Sequence, residues 1–367
     1  MSRPLYLLLI AAPLAVVADL LHWPAPLVFG LSALGVVPLA GLIGTATEEL
    51  AHRIGPKYGG LLNATFGNAA ELIITILAIR EGLLLLVKAS ITGSIIGNSL
   101  LVLGVSVLYG GFKHGWQRFD EHEARHHVSL MVLAVSGLFL PAMFAVSQPD
   151  HFIIEEVSLF VAGILLLTYV AYLAFSLFAG QAGDAPAVHE PPASAGGHQE
   201  ASWSVRRALI VLAAATGATV FVSELLVRTV EPVTHQLGWS EFFVGIIIIP
   251  LIGNAAEHFS AVVFAGKNRV DLTMAIASGS SSQIALFVAP ALVFLSLLLG
   301  HPMDLVFDRM ELLVLGLTTL IFAFVALDGR SNWLEGTQLL ALYIIIAVVF
   351  FFLPVATGAA STPTAPH

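Results

Sequence analysis

The feature that most constrains this chain is a series of apolar stretches, each approaching or exceeding the length of a membrane-spanning helix. One crossing needs about 20 mostly apolar residues. Only 11% of the residues are charged, whereas soluble domains average about 25%, and the mean hydropathy is +0.92. We therefore predict an all-α, polytopic membrane protein, embedded in the lipid bilayer, with eleven transmembrane helices. They lie near residues 4–21, 26–52, 59–80, 83–109, 128–147, 153–179, 204–228, 240–266, 270–299, 307–327 and 333–354.

The charged residues and the missing cysteines exclude several kinds of site. The formal net charge is −9, and neither a basic surface nor a nucleic-acid motif is present, so we expect no nucleic-acid partner. The chain has no cysteine, which excludes disulfides, thiolate metal sites and cysteine nucleophiles.

The basic residues predict the orientation, because cytoplasmic ends of spans are enriched in Lys and Arg. With a cytoplasmic N-terminus, 11 of the 15 basic residues lie inside and 4 outside. The inside group is Arg3, Arg53, Lys57, Lys113, Arg118, Arg125, Arg206, Arg207, Lys267, Arg269 and Arg330, and the outside group is Arg80, Lys88, Arg228 and Arg309. Alternatively, the first stretch is a secretory signal, with Arg3 as its basic end and a cleavage site at residues 16–18.

One five-residue motif, Gly-Asn-Ala-Ala-Glu, occurs twice, at 67–71 and 253–257. The same offset of 186 residues relates Gly93-Ser94 to Gly279-Ser280, which indicates duplication. Five spans follow the first one before the Ala-, Gly-, Pro-, Ser- and His-rich stretch 180–203, and five come after it. Five is odd, so the two halves are predicted to be inverted, an arrangement common in secondary transporters. We divide the chain into an extra first helix (1–25), a first repeat (26–179), a flexible cytoplasmic linker (180–203) and a second repeat (204–367).

The motif glutamates are predicted to lie deep in the membrane. Glu71 falls near the middle of its span, and Glu257 lies about ten residues, or roughly 15 Å, before Lys267. An ionised side chain at that depth costs several kcal/mol, so it indicates a functional site. Asn68 and Asn254 precede the glutamates by three residues and share their helix faces.

Further oxygen donors follow each motif on the next helix, which makes a site for a hard cation. Oxygen-only ligation suits Ca²⁺ best, with Mg²⁺ or Mn²⁺ less favoured. Two carboxylates neutralise one divalent ion or bind two protons, and competition of this kind is the basis of antiport. Helix–helix hydrogen bonding by the glutamates, and mere packing by the small residues, remain alternatives. The predicted donors on the following helices are Ser94, Asn98, Ser282 and Gln283.

The stretches 67–73 and 253–259 closely resemble the two signature repeats of the cation/proton exchanger family, within the calcium/cation antiporter superfamily. Residues 47–51, 93–98 and 279–290 support the resemblance, which covers essentially the whole chain. It implies a Ca²⁺/H⁺ antiporter without a cofactor, with Ca²⁺ as transported substrate and Glu71 and Glu257 as the central cation site. It also implies an extra first helix before two inverted five-helix halves, and a trimer as the family-typical assembly.

The resemblance also suggests residues outside the central site. Glu48, Glu49 and Glu224 match candidates for access pathways, and His258 matches a position where this branch often has histidine. From helix geometry alone, His258 faces away from the site unless the backbone is distorted. The acidic regulatory segment of many members is not matched, since 180–203 holds only three acidic residues: Asp184, Glu190 and Glu200.

We therefore predict a bacterial inner-membrane protein that exports Ca²⁺ in exchange for protons by alternating access. Sodium coupling, a broader divalent-cation preference and a passive channel are the alternatives within transport. An intramembrane metalloenzyme is the alternative from another class, but Glu257-His258, the only acid–His neighbour pair within the predicted spans, lacks the His-Glu-x-x-His spacing that it needs.

Overall fold

A computed structural model describes residues 6–54, 59, 62, 65–148, 150–179 and 203–353. Nearly all of these residues are helical, which confirms the predicted all-α class. The predicted linker 180–203 lies outside the described residues except for its last residue, and so do Arg3 and Lys57.

Thirteen helices follow one another along the described part of the chain. Two two-residue strands, β1 (Gln117–Arg118) and β2 (Arg330–Ser331), are added to them. The helices are α1 Leu8–Leu20, α2 Ala25–Ile54, α3 Ala69–Arg80, α4 Leu84–His114, α5 Glu121–Ser147, α6 His151–Ala179, α7 Val205–Arg228, α8 Val230–Leu237, α9 Glu241–Gly253, α10 Ala255–Gly266, α11 Val270–Leu298, α12 Arg309–Leu327 and α13 Trp333–Phe352.

Each predicted span contains a helix, but not every helix is long enough to cross a bilayer. Among the described residues, eight helices have the length and apolarity for a span, or nine if the bent pair α9 and α10 forms one. Helices α1 and α3 are shorter, so the count of eleven stays a prediction. The fifth predicted span, near 128–147, lies within α5, which begins seven residues earlier with polar residues.

Helices α4 and α11 form the centre of the bundle. In their most apolar windows 83% and 61% of the residues are buried, against 22% for α6, which lies at the lipid-facing periphery. Helices α2 and α7 make the most extensive pairwise contact of the described helices. Small residues permit close packing, as at Gly35, where an added Cβ would lie 2.9 Å from the Ala12 Cα atom.

The strands join two loops at one end of the bundle. Gln117 pairs with Ser331 and Arg118 pairs with Arg330, antiparallel. The α4–α5 and α12–α13 loops therefore lie on the same side, as the distribution of basic residues predicts.

Each motif interrupts its helix at the asparagine. Asn68 and Asn254 have nearly equal backbone angles, φ −96° and ψ 20° against φ −101° and ψ 8°. Neither pair is helical, and α9 and α10 meet at Asn254 with a bend of 61°. The motif glutamates consequently lie in the first turns of new helices, where backbone N–H groups are free and the helix dipole favours negative charge.

Candidate functional site

Glu71 occupies the first turn of α3 and is 1% exposed. Its Oε1 atom accepts a hydrogen bond from the Ser94 hydroxyl of α4. Its Oε2 atom has no hydrogen-bond partner among the described residues. One carboxylate oxygen is thus held in place, and the other is left for a ligand or a proton.

Glu257 repeats this arrangement in the first turn of α10. The Ser280 hydroxyl of α11 lies beside its carboxyl group, and its Oε2 atom likewise lacks a partner in the described part of the chain. Unlike Glu71, Glu257 is only half-buried. The two carboxyl groups are close enough to interact electrostatically.

The asparagines connect the two motifs in a crossed pattern. Asn254 Nδ2 donates to Ser94 Oγ over 3.1 Å, so the second motif contacts the serine that holds Glu71. Asn68 Oδ1 accepts from Ser280 Oγ over 3.4 Å, so the first motif contacts the serine beside Glu257. Each half therefore positions the carboxylate environment of the other.

Two amides on the central helices extend the network. Asn98 Nδ2 of α4 donates to Ser280 Oγ over 3.0 Å. Asn68 Nδ2 donates to Gln283 Oε1 of α11 over 2.8 Å. These bonds satisfy buried polar groups that would otherwise destabilise the fold, and they bring amide and hydroxyl oxygens next to the carboxylates.

The motif glycine of the second half lets the two halves meet. A Cβ atom added to Gly253 would lie 3.5 Å from Glu71 Cβ and 3.6 Å from Glu71 Cα. The backbone at the α9–α10 break therefore packs directly on the first turn of α3.

The structure brings seven of the eight predicted binding residues into this network and leaves out one. Ser282 is buried, but its Oγ atom has no hydrogen-bond partner among the described residues. Ser280 takes part instead, although the prediction omitted it. The offset of 186 residues from Ser94 identifies Ser280, and the prediction did not use it to select a donor. The seven are Glu71, Glu257, Asn68, Asn254, Ser94, Asn98 and Gln283.

The three acidic access candidates lie away from the network, at opposite ends of the bundle. Glu48 is half-buried near the C-terminal end of α2. Beside it, Glu49 Oε2 accepts the Trp203 backbone N–H over 3.0 Å. Glu224, near the C-terminal end of α7, forms an ion pair of 3.2 Å with Arg80.

His258 follows Glu257 on α10 but faces a different environment. Its ring lines an apolar crevice of about 270 Å³, and Nε2 has no partner among the described residues. The backbone is distorted four residues earlier, yet the ring still lies outside the network. The other lining residues are Leu101, Val102, Val105, Phe259 and Val262.

The donor set suits a hard cation carried as cargo. It consists of two carboxylates with neutral hydroxyl and amide oxygens, and Ca²⁺ accepts six to eight such ligands. Among the described residues, no group of three or more His, Cys, Asp or Glu side chains could hold a metal ion. A cation bound in this network would take its balancing negative charge from Glu71 and Glu257.

Comparison with known proteins identifies the family. The model of the sodium/calcium exchanger protein family matches residues 24–178 and 207–352, on either side of the predicted linker. The chain belongs to this family. It is 43% identical to the Ca²⁺/H⁺ antiporter ChaA of Bacillus subtilis over 357 residues, covering 96% of this chain and 100% of that one. It is 42% identical to a Ca²⁺/H⁺ antiporter of Aphanothece halophytica, covering 95% of this chain and 96% of the relative.

The fold of this exchanger-family chain agrees with a solved relative. The structure of native YfkE superposes with a TM-score of 0.83 at 41% identity, covering 95% of this chain and 100% of that one. This match confirms the predicted polytopic helical architecture.

Proposed function

We propose that this chain is a Ca²⁺/H⁺ antiporter of a bacterial inner membrane, with its N-terminus in the cytoplasm, that exports Ca²⁺ as protons enter. The observation that carries the proposal is the crossed network around Glu71 and Glu257, in which each carboxylate keeps one oxygen without a partner in the described residues. The bacterial relatives named above are Ca²⁺/H⁺ antiporters of nearly equal length, which supports the same activity here.

The proposed exchange follows from the charge of the site. A Ca²⁺ ion bound by both carboxylates leaves a neutral site, and two protons on the same carboxylates also leave it neutral. An empty site with two ionised carboxylates at membrane depth costs several kcal/mol. The site therefore passes readily between the cation-bound and protonated forms, and the two ligands displace each other.

The packing around the site supports an arrangement closed to the outside. On the side predicted to be outside, α4 and α9 are in tight contact. A Cβ atom added to Gly93 would lie 2.0 Å from Ile246 O, and one added to Gly245 would lie 2.8 Å from Leu86 O. For the counterpart of Gly93 in the second half, Gly279, no atom of the described residues lies within 4 Å of an added Cβ; residues 60 and 64, which correspond to Ile246 and Pro250, are outside the described residues. In the proposed cycle, α2 and α7 move against the other helices, so that tight packing alternates between the two sides.

Sodium is the second candidate for the counter-ion, because the family model that matches this chain is that of sodium/calcium exchangers. Two carboxylates bind two Na⁺ ions as readily, by charge, as two protons. We favour protons because the antiporter relatives that match over their whole length are coupled to H⁺. A trimer is the assembly proposed from family resemblance, and the mass of the solubilised protein tests it.

The decisive experiment measures ⁴⁵Ca²⁺ uptake into everted membrane vesicles that contain the unmutated protein. Uptake is followed with an imposed proton gradient and no sodium, and then with a sodium gradient at equal pH on both sides. The proposal predicts uptake with the proton gradient, which a protonophore abolishes. Uptake driven by sodium alone would assign the counter-ion to Na⁺. A lack of uptake under both gradients would overturn the proposed antiport.

A further inference from the structure

A third buried carboxylate lies outside the network described above. Glu311 is in the first turn of α12, and it is 1% exposed. Its Oε2 atom accepts the Asp308 backbone N–H over 2.8 Å, and Asp308 Oδ1 accepts the Met310 N–H over 2.8 Å. These bonds form a capping box at the helix N-terminus. Glutamine serves equally well at the Glu311 position of such a box, so the cap requires an acceptor but not an ionisable group.

The second oxygen of Glu311 is not used by the cap. Its Oε1 atom is buried and has no hydrogen-bond partner among the described residues. The Thr92 hydroxyl of α4 lies against this carboxyl group, yet Thr92 Oγ1 makes no hydrogen bond of good geometry in the described part of the chain. The Thr92 hydroxyl can donate to this oxygen when Glu311 is ionised, and it can accept from Glu311 when the carboxyl group is protonated.

The nearest positive charge already has another partner. Lys88 lies one turn before Thr92 on α4, and its ammonium group pairs with Asp304 and donates to Val306 O over 3.0 Å. Lys88 also lies within electrostatic range of Glu311. Lys88 therefore has the carboxyl groups of Asp304 and Glu311 within reach, and in this structure it is paired with Asp304.

The other elements around Glu311 bring no further positive charge to this end of α12. Helix α5 packs along α12, but its charged residues all lie within 121–127, at the opposite end. The π-helical part of α4, Gly97–Val102, is uncharged. Among the described residues, the charged groups that interact with Glu311 are Asp308 and Lys88, and Lys88 is paired with Asp304.

Helix α4 lies between Glu311 and the central site. Thr92 and Ser94 are two residues apart, which corresponds to about 3 Å along the helix axis and about 200° around it. One face of α4 therefore contacts Glu311, and nearly the opposite face contacts Glu71. Gly93, between them, makes the tight contact with α9.

We propose that Glu311 is a proton-binding residue of the exchanger outside the central site, which responds to the pH of the outer side and acts on the central site through α4. The proposal rests on the proposed Ca²⁺/H⁺ exchange. Glu311 holds its proton while Lys88 pairs with Asp304. When Glu311 loses the proton, its charge draws Lys88 away from Asp304, and the pull on α4 is transmitted to Ser94 and to the Gly93 contact. Glu311 is a positioning residue in this scheme, since it does not touch the transported cation.

The first test measures how exchange depends on the pH of the outer side alone. In everted vesicles that side is the lumen, so initial ⁴⁵Ca²⁺ uptake is measured at fixed bath pH over a range of luminal pH. Glu311→Gln preserves size and cap, and Asp308→Asn, which keeps a good N-cap residue, is the matched control. For a single titrating group, the population of the less abundant protonation state changes by at most about tenfold per pH unit. We expect Glu311→Gln to lose a dependence of that size, and Asp308→Asn to keep it.

The second test needs no transport. Dicyclohexylcarbodiimide reacts with protonated carboxyl groups in apolar surroundings, and peptide mass spectrometry locates the resulting N-acylurea. In the unmutated protein in nanodiscs, we expect an adduct on Glu311 whose yield falls as the pH rises. Absence of that adduct, or a yield independent of pH, overturns the proposal.

The two tests together separate the possible outcomes. A Glu311→Gln profile parallel to that of the unmutated protein means that Glu311 only caps the helix. If the variant takes up no Ca²⁺ at any pH, the labelling of the unmutated protein decides. If the unmutated protein takes up no Ca²⁺ with a proton gradient, the proposed function fails while the labelling still reports on Glu311.

Discussion

Alternating access predicts opposite effects for one substitution made at two related glycines. Gly93→Ala places a methyl group 2.0 Å from Ile246 O and 2.7 Å from Pro250 Cγ, far inside the ordinary contact range of 3.4–4 Å. Neither the Ile246 carbonyl nor the Pro250 ring can rotate away, so α9 has to retreat from α4. Gly279→Ala, at the matching position of the second half, meets no atom of the described residues within 4 Å. It is the control for the substitution itself.

The size of the effect follows from the packing. Overfilling a close contact costs about 1–3 kcal/mol, and only the state closed to the outside has this contact. The ratio of outer-closed to outer-open molecules should therefore fall by about 5- to 150-fold in Gly93→Ala. If tight packing alternates between the halves, Gly279→Ala instead disfavours the outward-open state and leaves the outer-closed population intact.

The chain has no cysteine, so a single introduced thiol reports on outer opening. Val244 is fully buried near the start of α9, and Val244→Cys puts a smaller side chain there. A membrane-impermeant maleimide added from outside should label this thiol faster when Gly93→Ala is also present. Equal labelling rates in the parent and both glycine variants would refute the reasoning, as would faster labelling in Gly279→Ala. Gel filtration of each variant excludes unfolding as the cause.

Three further predictions concern the site and its surroundings. Ser280→Ala removes a buried partner of two amides, so the free energy of Ca²⁺ binding, taken from the Ca²⁺ dependence of uptake, should weaken by about 1–3 kcal/mol. Ser282→Ala should leave this dependence unchanged. Equal effects in the two variants would remove Ser280 from the network. Glu224→Gln breaks an exposed ion pair with Arg80 and should change the free energy of unfolding by at most about 1 kcal/mol, as measured by denaturant titration; a larger loss would give the pair a structural role. Ca²⁺ at about 100 times its Kd should stabilise the unmutated protein by about 2.7 kcal/mol, which is measured as a rise in Tm. Glu257→Gln should lack this rise. An equal rise in the variant would place the bound ion elsewhere.

The sequence predicted the helices well and singled out the two motif carboxylates that the structure brings together, because both inferences depend on strong and local physical terms. Long apolar stretches have few alternatives to membrane helices, and a carboxylate deep in such a stretch is costly enough to indicate function. The resemblance of the two motifs to known exchangers agrees with the matching family model. Nothing in these arguments depended on the exact positions of side chains.

Other features of the site depended on backbone geometry that apolar periodicity does not encode. The helix breaks at Asn68 and Asn254 place Glu71 and Glu257 in first turns, whereas the prediction treated each motif as part of a continuous helix. Matched π-helical segments, Gly97–Val102 and Ile284–Val288, likewise change the register of α4 and α11 just beyond the site. Ser280 itself lies in the regular α-helical part of α11, before its π-helical segment, and the repeat offset from Ser94 is the signal that identifies it.

The residues proposed for access illustrate a different limit. Glu49 holds the Trp203 backbone, and Glu224 is paired with Arg80. Both partners are distant in sequence, and ion pairs between distant residues leave no periodic pattern. Glu311 was not singled out by the sequence for the same reason, since its burial results from packing against α4 and not from its position in α12.

The central claim is that Glu71 and Glu257 together bind the exchanged ions, and proton-driven ⁴⁵Ca²⁺ uptake by their glutamine variants tests it most directly. Everted vesicles with equal amounts of the unmutated protein, Glu71→Gln and Glu257→Gln are compared under the same imposed pH gradient. The account predicts that each variant is inserted and folded but takes up no Ca²⁺ beyond vesicles without the protein. Undiminished uptake by both variants would contradict it.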